Sequence, residues 1–265
     1  MTESGVLSLM LPFVGLLSAA ALGLVTLRKG PRDGLMVMGF ASVATALIAT
    51  VAIGSPWTAG GIVLVLWLPL WGLAVVLRAT RSLGFTAQLA ALGGLIVVLV
   101  IHLVTGDPTA YWQQLLEPVR QALVVEGLVA AEGSQLLLGQ WSRWMTGAFA
   151  AALVLQYLMS LFLARWWQAR LYNPGGFGQE FRRLAVGRVV GLLFLALVIW
   201  AVGVKGGGLA LDLIPVLFTL LTLQGLAVAH RVRELLGARQ AWLLGLYILL
   251  ILFLPQVGLF LQQGL

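Results

Sequence analysis

Apolar residues along this chain come in long blocks separated by short polar stretches. Eight such blocks occupy residues 6–27, 34–53, 60–77, 85–104, 144–164, 187–204, 209–229 and 241–261. Each is close to twenty residues, the length a helix rising 1.5 Å per residue needs to cross roughly 30 Å of hydrocarbon. The pattern predicts an all-α fold, a polytopic transmembrane bundle of about eight helices. Pro255 interrupts the last block, so that helix either kinks there or ends and continues along the interface.

Two polar stretches are longer than turns. In residues 105–143, Asp107 followed by Pro108 reads as an N-cap with proline at the first helical position. Trp112, Leu115, Leu116, Val119 and Leu123 then recur at helical spacing, with Gln113, Gln114, Glu117 and Arg120 on other faces. This predicts an amphipathic helix, with Pro118 as a candidate break, on the membrane surface or capping the bundle. In residues 165–188, the run Asn173-Pro174-Gly175-Gly176-Phe177-Gly178 is incompatible with a regular helix throughout. The whole chain, 1–265, reads as one membrane domain with a front half (1–104), the amphipathic segment (105–143) and a back half (144–265).

Composition removes the soluble alternative. Of the 265 residues, 61% are hydrophobic and 9% charged, against roughly 25% charged in a soluble domain. The net charge of +7 would suggest nucleic acid in a soluble protein. Here the basic residues sit at block ends, where they report topology. With the N-terminus outside, 13 of the 16 fall in cytoplasmic loops, and only Arg120, Arg143 and Lys205 fall outside. The positive-inside rule therefore places both termini outside. Trp141 and Trp144 mark the outer end of the fifth span, and Trp166 and Trp167 its inner end. The start, MTESGVLSLM, lacks the basic region of a cleaved signal peptide, so the first block is expected to stay as a helix.

Candidate chemistry is sparse. Cysteine is absent, which excludes thiolate catalysis and cysteine-ligated metal. His102 and His230 fall on opposite sides of the membrane and cannot share a metal within one subunit. No phosphate-binding loop or nucleophile elbow occurs, so the chain leans away from enzymology, with no catalytic residue, metal or cofactor expected. Asp212 is the acid closest to the hydrocarbon. With Thr219, Thr222 and Gln224 on the same helix it forms a polar strip, the default candidate for a ligand or proton site. The bland alternative pairs Asp212 with Lys205 at interface depth. Gln88, Gln156 and Gln224 are amides free either to bond between helices or to touch a ligand. Small-residue stripes (Gly15, Ala19, Gly23; Gly147, Ala151; Gly187, Gly191) point first to internal helix packing.

The richest local signal is the inner segment. Arg165, Arg170, Arg182 and Arg183, with Glu180, surround the turn Asn173, Pro174, Gly175, Gly176 and Phe177. Such a cluster binds anionic lipid headgroups, docks a cytoplasmic protein, or simply reverses the chain. The string ARWWQARLYNPGGFGQEFRRL at 164–184 resembles the signature stretch of the YybS-like family, predicted bacterial polytopic membrane proteins of unknown function. The resemblance implies a bacterial inner (cytoplasmic) membrane location. It also implies a distant kinship with the substrate-binding subunits of energy-coupling-factor vitamin transporters, although those typically have six helices. The expected function is a transporter-like subunit that binds a small or lipid-like molecule within the bundle. Membrane lipids are the expected partners, and nucleic acid is not. The alternative is a scaffold recruiting a cytoplasmic partner through residues 165–188.

Overall fold

The computed structural model describes the backbone of residues 3–55, 57–203, 208–237, 239, 241–250 and 252, and their side chains from Phe13 onward except at 53, 58 and 59. Among the described residues 90% are helical and no strand occurs. In order the helices are α1 (Glu3–Lys29), α2 (Pro31–Ile53), α3 (Trp57–Ile62), a π-helical turn (Val63–Trp67), α4 (Leu68–Thr80), α5 (Leu83–Thr105), α6 (Pro108–Val125), α7 (Ala131–Ser142), α8 (Met145–Tyr172), α9 (Gly176–Arg182), α10 (Gly187–Gly203), α11 (Gly208–Leu236) and α12 (Ala241–Leu250).

Among the described residues, five helical stretches are long and apolar enough to cross a membrane: Pro31–Ala52, Gly60–Thr80, α5, α8 and α11. Helices α9 and α10, bent by 52° at their junction, make a sixth if counted as one span. This is the helical inventory of a multi-pass membrane protein. The expectation of eight also counted the blocks 6–27 and 241–261. The first is helical throughout, with the side chains of 6–12 outside the described set, and the second is helical over 241–250, with most of 251–261 outside that set together with Lys205 and Pro255.

Helix α8 is the hub, packed against α1, α4, α5, α9 and α11. Its midsection buries Ser160, Leu161, Phe162 and Ala164, four positions that no single helical face can hold, so neighbours must surround it. One core joins front and back halves, running from Ala19 and Leu70 through Val98 and Leu158 to Leu220. By contrast, only 6% of the α2 span is buried. Phe40, Val43 and Val51 of α2, and Val189, Leu192 and Ile199 of α10, stand exposed. A soluble monomer does not leave apolar faces of that extent bare, whereas lipid tails cover them at no cost.

Contacts at the helix ends fix relative directions. Arg78 Nη1 donates to Leu27 O (2.6 Å), the Arg28 guanidinium lies 3.6 Å over the Tyr172 ring, and Arg165 pairs with Glu180. The C-terminal ends of α1, α4 and α8 therefore meet α9 at one end of the bundle, hereafter the arginine end. At the opposite end, the C-terminal end of α5 meets the starts of α8 and α11 through His102, Gly147 and Asp212. Alternating crossings demand these juxtapositions.

The α9–α10 junction shows how the chain changes direction without exposing backbone. Residues 184–186 leave the helix, yet Leu184 and Val186 are buried. Two glutamines replace the lost helical bonds. Gln88 Nε2 of α5 donates to Val186 O (3.0 Å), and Val186 N donates to Gln224 Oε1 of α11 (2.8 Å). Gly84 permits the approach, because a Cβ there would sit 2.4 Å from Ala185 O. In hydrocarbon an unpaired amide or carbonyl costs several kcal/mol, so this clamp is a condition for the break to exist.

The amphipathic segment folds as a hairpin of α6 on α7. Asp107 caps α6 by accepting from Ala110 N (3.1 Å), as the Asp-Pro pair predicts. The helix runs through Pro118 without ending, so the candidate break is not realised. Arg120 grips Glu117 through Nε and Nη2 and reaches Ser134 Oγ of α7 (2.8 Å).

Candidate functional site

The polar strip of α11 separates into three environments. Asp212 is 4% exposed. Its Oδ2 lies 2.8 Å from His102 Nε2, and its Oδ1 accepts from Gly147 N (2.9 Å). Gly147 is in the first turn of α8, where amides lack helical partners and the helix dipole favours an anion. The carboxylate thus caps a neighbouring helix while pairing with a histidine. Glycine is required at 147, because a Cβ would meet Asp212 backbone O at 2.7 Å. Trp112 of α6 covers this corner, donating Nε1 to Thr146 Oγ1 (2.9 Å).

Thr219 lies seven residues on, nearly two turns and roughly 10 Å further along the same face. It lines a different feature with Thr222: a cavity of about 580 Å³ between α8, α9, α11 and α12. Both hydroxyls donate to their own i−4 carbonyls, Pro215 O (2.9 Å) and Phe218 O (2.8 Å), leaving their oxygens able to accept. Gln224 is five residues past Thr219, about 140° around the helix, and its amide belongs to the Val186 clamp.

The inner segment supplies the cavity's other wall. Helix α8 runs to Tyr172, and the chain turns at Asn173, Pro174 and Gly175, the last at φ 87°. Gly176 and Phe177 then open α9, so the irregular stretch is shorter than the run of turn residues suggests. Phe177 and Phe181 pack with Phe162 at ring separations of 5.8–6.0 Å. Phe181 meets the His230 ring edge-on at 5.7 Å, and His230 Nε2 lies 2.8 Å from Tyr247 Oη. Arg182, at the mouth, pairs with Glu234 of α11. The result is an aromatic, apolar chamber with a polar rim, suited to an amphipathic molecule.

The remaining candidates fall elsewhere. Arg170, Pro174, Gly175 and Phe177 line a pocket of about 620 Å³ with Trp166 on the other side of α9. Arg165 and Glu180 face α1 and α4 with Arg78 and Arg81. Arg183 is exposed at the end of α9. Of the small-residue stripes, Gly23 lies against Ala164, at 3.1 Å from where a Cβ would stand, while a Cβ at Gly187 or Gly191 would meet no described neighbour within 4 Å. Gln156 Nε2 is buried with no partner among the described residues.

Sequence reasoning missed the pairing of Asp212 with His102. The signal was present: alternating crossings put the end of the fourth block and the start of the seventh on one side of the membrane. It also missed the pairing of His230 with Tyr247, for which no periodicity gives a cue. Among the described residues, no group of three or more metal-ligating side chains converges. No protein-family model, curated protein or solved structure matches this chain.

Proposed function

We propose that this protein is an integral membrane subunit of transporter-like type that holds an amphipathic, lipid-like molecule beside α8, α9 and α11. The chamber of about 580 Å³ carries this reading. Its volume falls in the range of roughly 300–1,000 Å³ typical of small-molecule sites. Phe177 and Phe181 offer apolar contact for a tail. Thr219, Thr222 and His230 offer hydrogen bonds near it. Asp212 serves the bundle from the far end and stands outside the binding role. An orientation with the arginine end in the cytoplasm agrees with the charge distribution. Membership of the YybS-like family, and with it a bacterial inner membrane, belongs to the same proposal and rests on residues 164–184.

The test is photolabelling in nanodiscs with a lipid carrying a diazirine in its tail. Labelling is expected to concentrate on α9 and α11 and to fall when Thr222→Trp fills the chamber. Labelling of Phe177 no stronger than that of the bare α2 face at Phe40 would sink the reading.

A second reading, a scaffold for a cytoplasmic protein, draws support from the pocket of Trp166, Arg170 and Pro174 and from exposed Leu171 and Tyr172 beside it. Cross-linking from Tyr172 separates the two. A single soluble partner supports the scaffold, and capture of lipid alone opposes it.

A further inference from the structure

At the arginine end a separate cavity, about 320 Å³, opens between α1, α4, α8 and α9. Its wall carries three guanidinium groups, Arg78, Arg81 and Arg165, against one carboxylate, Glu180, a surplus of two positive charges. Leu27 and Leu77 form its apolar side. The three arginines are not equivalent. Arg165 is committed: it grips Glu180 with Nε and Nη2 and donates Nη1 to Gln168. Arg78 uses Nη1 on Leu27 O, which fixes the side chain and leaves its other donors. Arg81 has no side-chain partner among the described residues.

Arg81 is also held at φ 53°, the one non-glycine residue with positive φ among those described. It closes α4 in the left-handed conformation that glycine or asparagine normally supplies. A guanidinium thus stands where the backbone prefers glycine, at the mouth of a cavity already short of negative charge.

We propose that this cavity binds a phosphate group, held by Arg81 and Arg78 with the Arg165–Glu180 pair as a fixed wall. Guanidinium forks match phosphate oxygens in geometry as well as charge, and a phosphate balances the surplus. The same chemistry is offered by an anionic phospholipid headgroup or by a free phosphorylated small molecule. The site shares no lining residue with the aromatic chamber and does not depend on it.

The test uses the full chain in two arms. In nanodiscs of phosphatidylcholine doped with phosphatidic acid, native mass spectrometry reads how much anionic lipid each variant retains. In detergent, inorganic phosphate is titrated against thermal stability. Arg81→Gly is expected to weaken retention or phosphate affinity about fivefold, the share of one arginine at a membrane surface. In pure phosphatidylcholine the same variant is expected to melt higher, since glycine adopts this backbone without strain. Arg81→Asn, which also tolerates the conformation, is expected to repeat the loss. Arg188→Ala, an exposed arginine on α10, is expected to change neither readout. Loss in the lipid arm alone identifies a headgroup site. Loss in the phosphate arm identifies a site for free phosphorylated molecules. Equal loss in Arg81→Gly and Arg188→Ala, or no loss in either arm, overturns the proposal.

Discussion

At one end of the bundle Asp212 is enclosed by His102, the Gly147 amide and the Trp112 corner. At the other, Arg78, Arg81 and Arg165 face a cavity that holds a single carboxylate. Both ends are polar, but the polarity does different work. The buried acid holds three helices together, and its accepting oxygens are used within the protein. The arginines are partly hydrated, and Arg78 and Arg81 have donors left over. A charge buried without a partner is costly, so evolution can leave unused hydrogen-bonding capacity only where water reaches. The leftover capacity is therefore where a ligand from outside is expected to act.

Mutation can break this contrast. Asp212→Ala removes the buried hydrogen-bond partner of His102 and an α8 cap together. It is expected to cost about 3 kcal/mol in SDS-unfolding titrations of the purified protein, since both the His102 ring and the Gly147 amide lose their partner. A cost under about 1 kcal/mol would show that this end is as tolerant as the other. Gln224→Leu comes next. It leaves the Val186 amide unpaired at the α9–α10 break and is expected to cost about 2 kcal/mol, with faster hydrogen exchange at Val186. This asks whether the contrast is one of charge or of burial, since Gln224 is neutral.

Glu180→Gln is the matched change at the arginine end. Its ion pair with Arg165 is about one-third exposed on the carboxylate side and about one-quarter on the other. Such pairs are worth roughly 0–1 kcal/mol, so stability is expected to stay nearly constant. The smallest effect is a pH effect on the α6–α7 hairpin. Hydrogen bonds from Arg120, then Gln121, pull the Glu117 carboxyl from 4.5 to about 2. A depressed carboxylate contributes its stability in full above its ordinary range and loses it as pH falls through the folded value. Protection of the α6 amides is expected to hold at neutral and mildly acid pH, to weaken progressively as pH falls below about 4.5, and to lose most of this contribution by about pH 2. Weakening already at pH 5 would contradict the pairing.

Much of the architecture was legible because hydrocarbon imposes a length on each span. The blocks at 34–53, 60–77, 85–104, 144–164 and 209–229 reappear as helices, most ends shifted by one to three residues and the C-terminal ends of α8 and α11 running seven or eight residues further. The Asp107 cap was legible for a local reason, since capping is settled within four residues. The site was read less well. Asp212, Thr219, Thr222 and Gln224 share a helix in the sequence, but partners from α5, α8, α9 and α12 decide what each one faces. His102 is 110 residues from Asp212, and Gln88 is 98 residues from Val186. No window along the chain spans such distances. Arg78 and Arg81 were visible as topology markers, but their joint cavity depends on how closely α1, α4 and α8 converge.

The Val186 clamp also sets an order of events during synthesis. When the ribosome completes the α9–α10 junction, Gln88 is already made, whereas Gln224 lies 38 residues ahead. At about 5–20 residues per second, the amide of Val186 waits some seconds for its acceptor. Until α11 arrives, the junction cannot settle in hydrocarbon, and α10 must lodge beside the translocation machinery or at the membrane surface. A chain truncated before Gln224 is therefore expected to leave α10 poorly integrated even though its own sequence is apolar enough to enter.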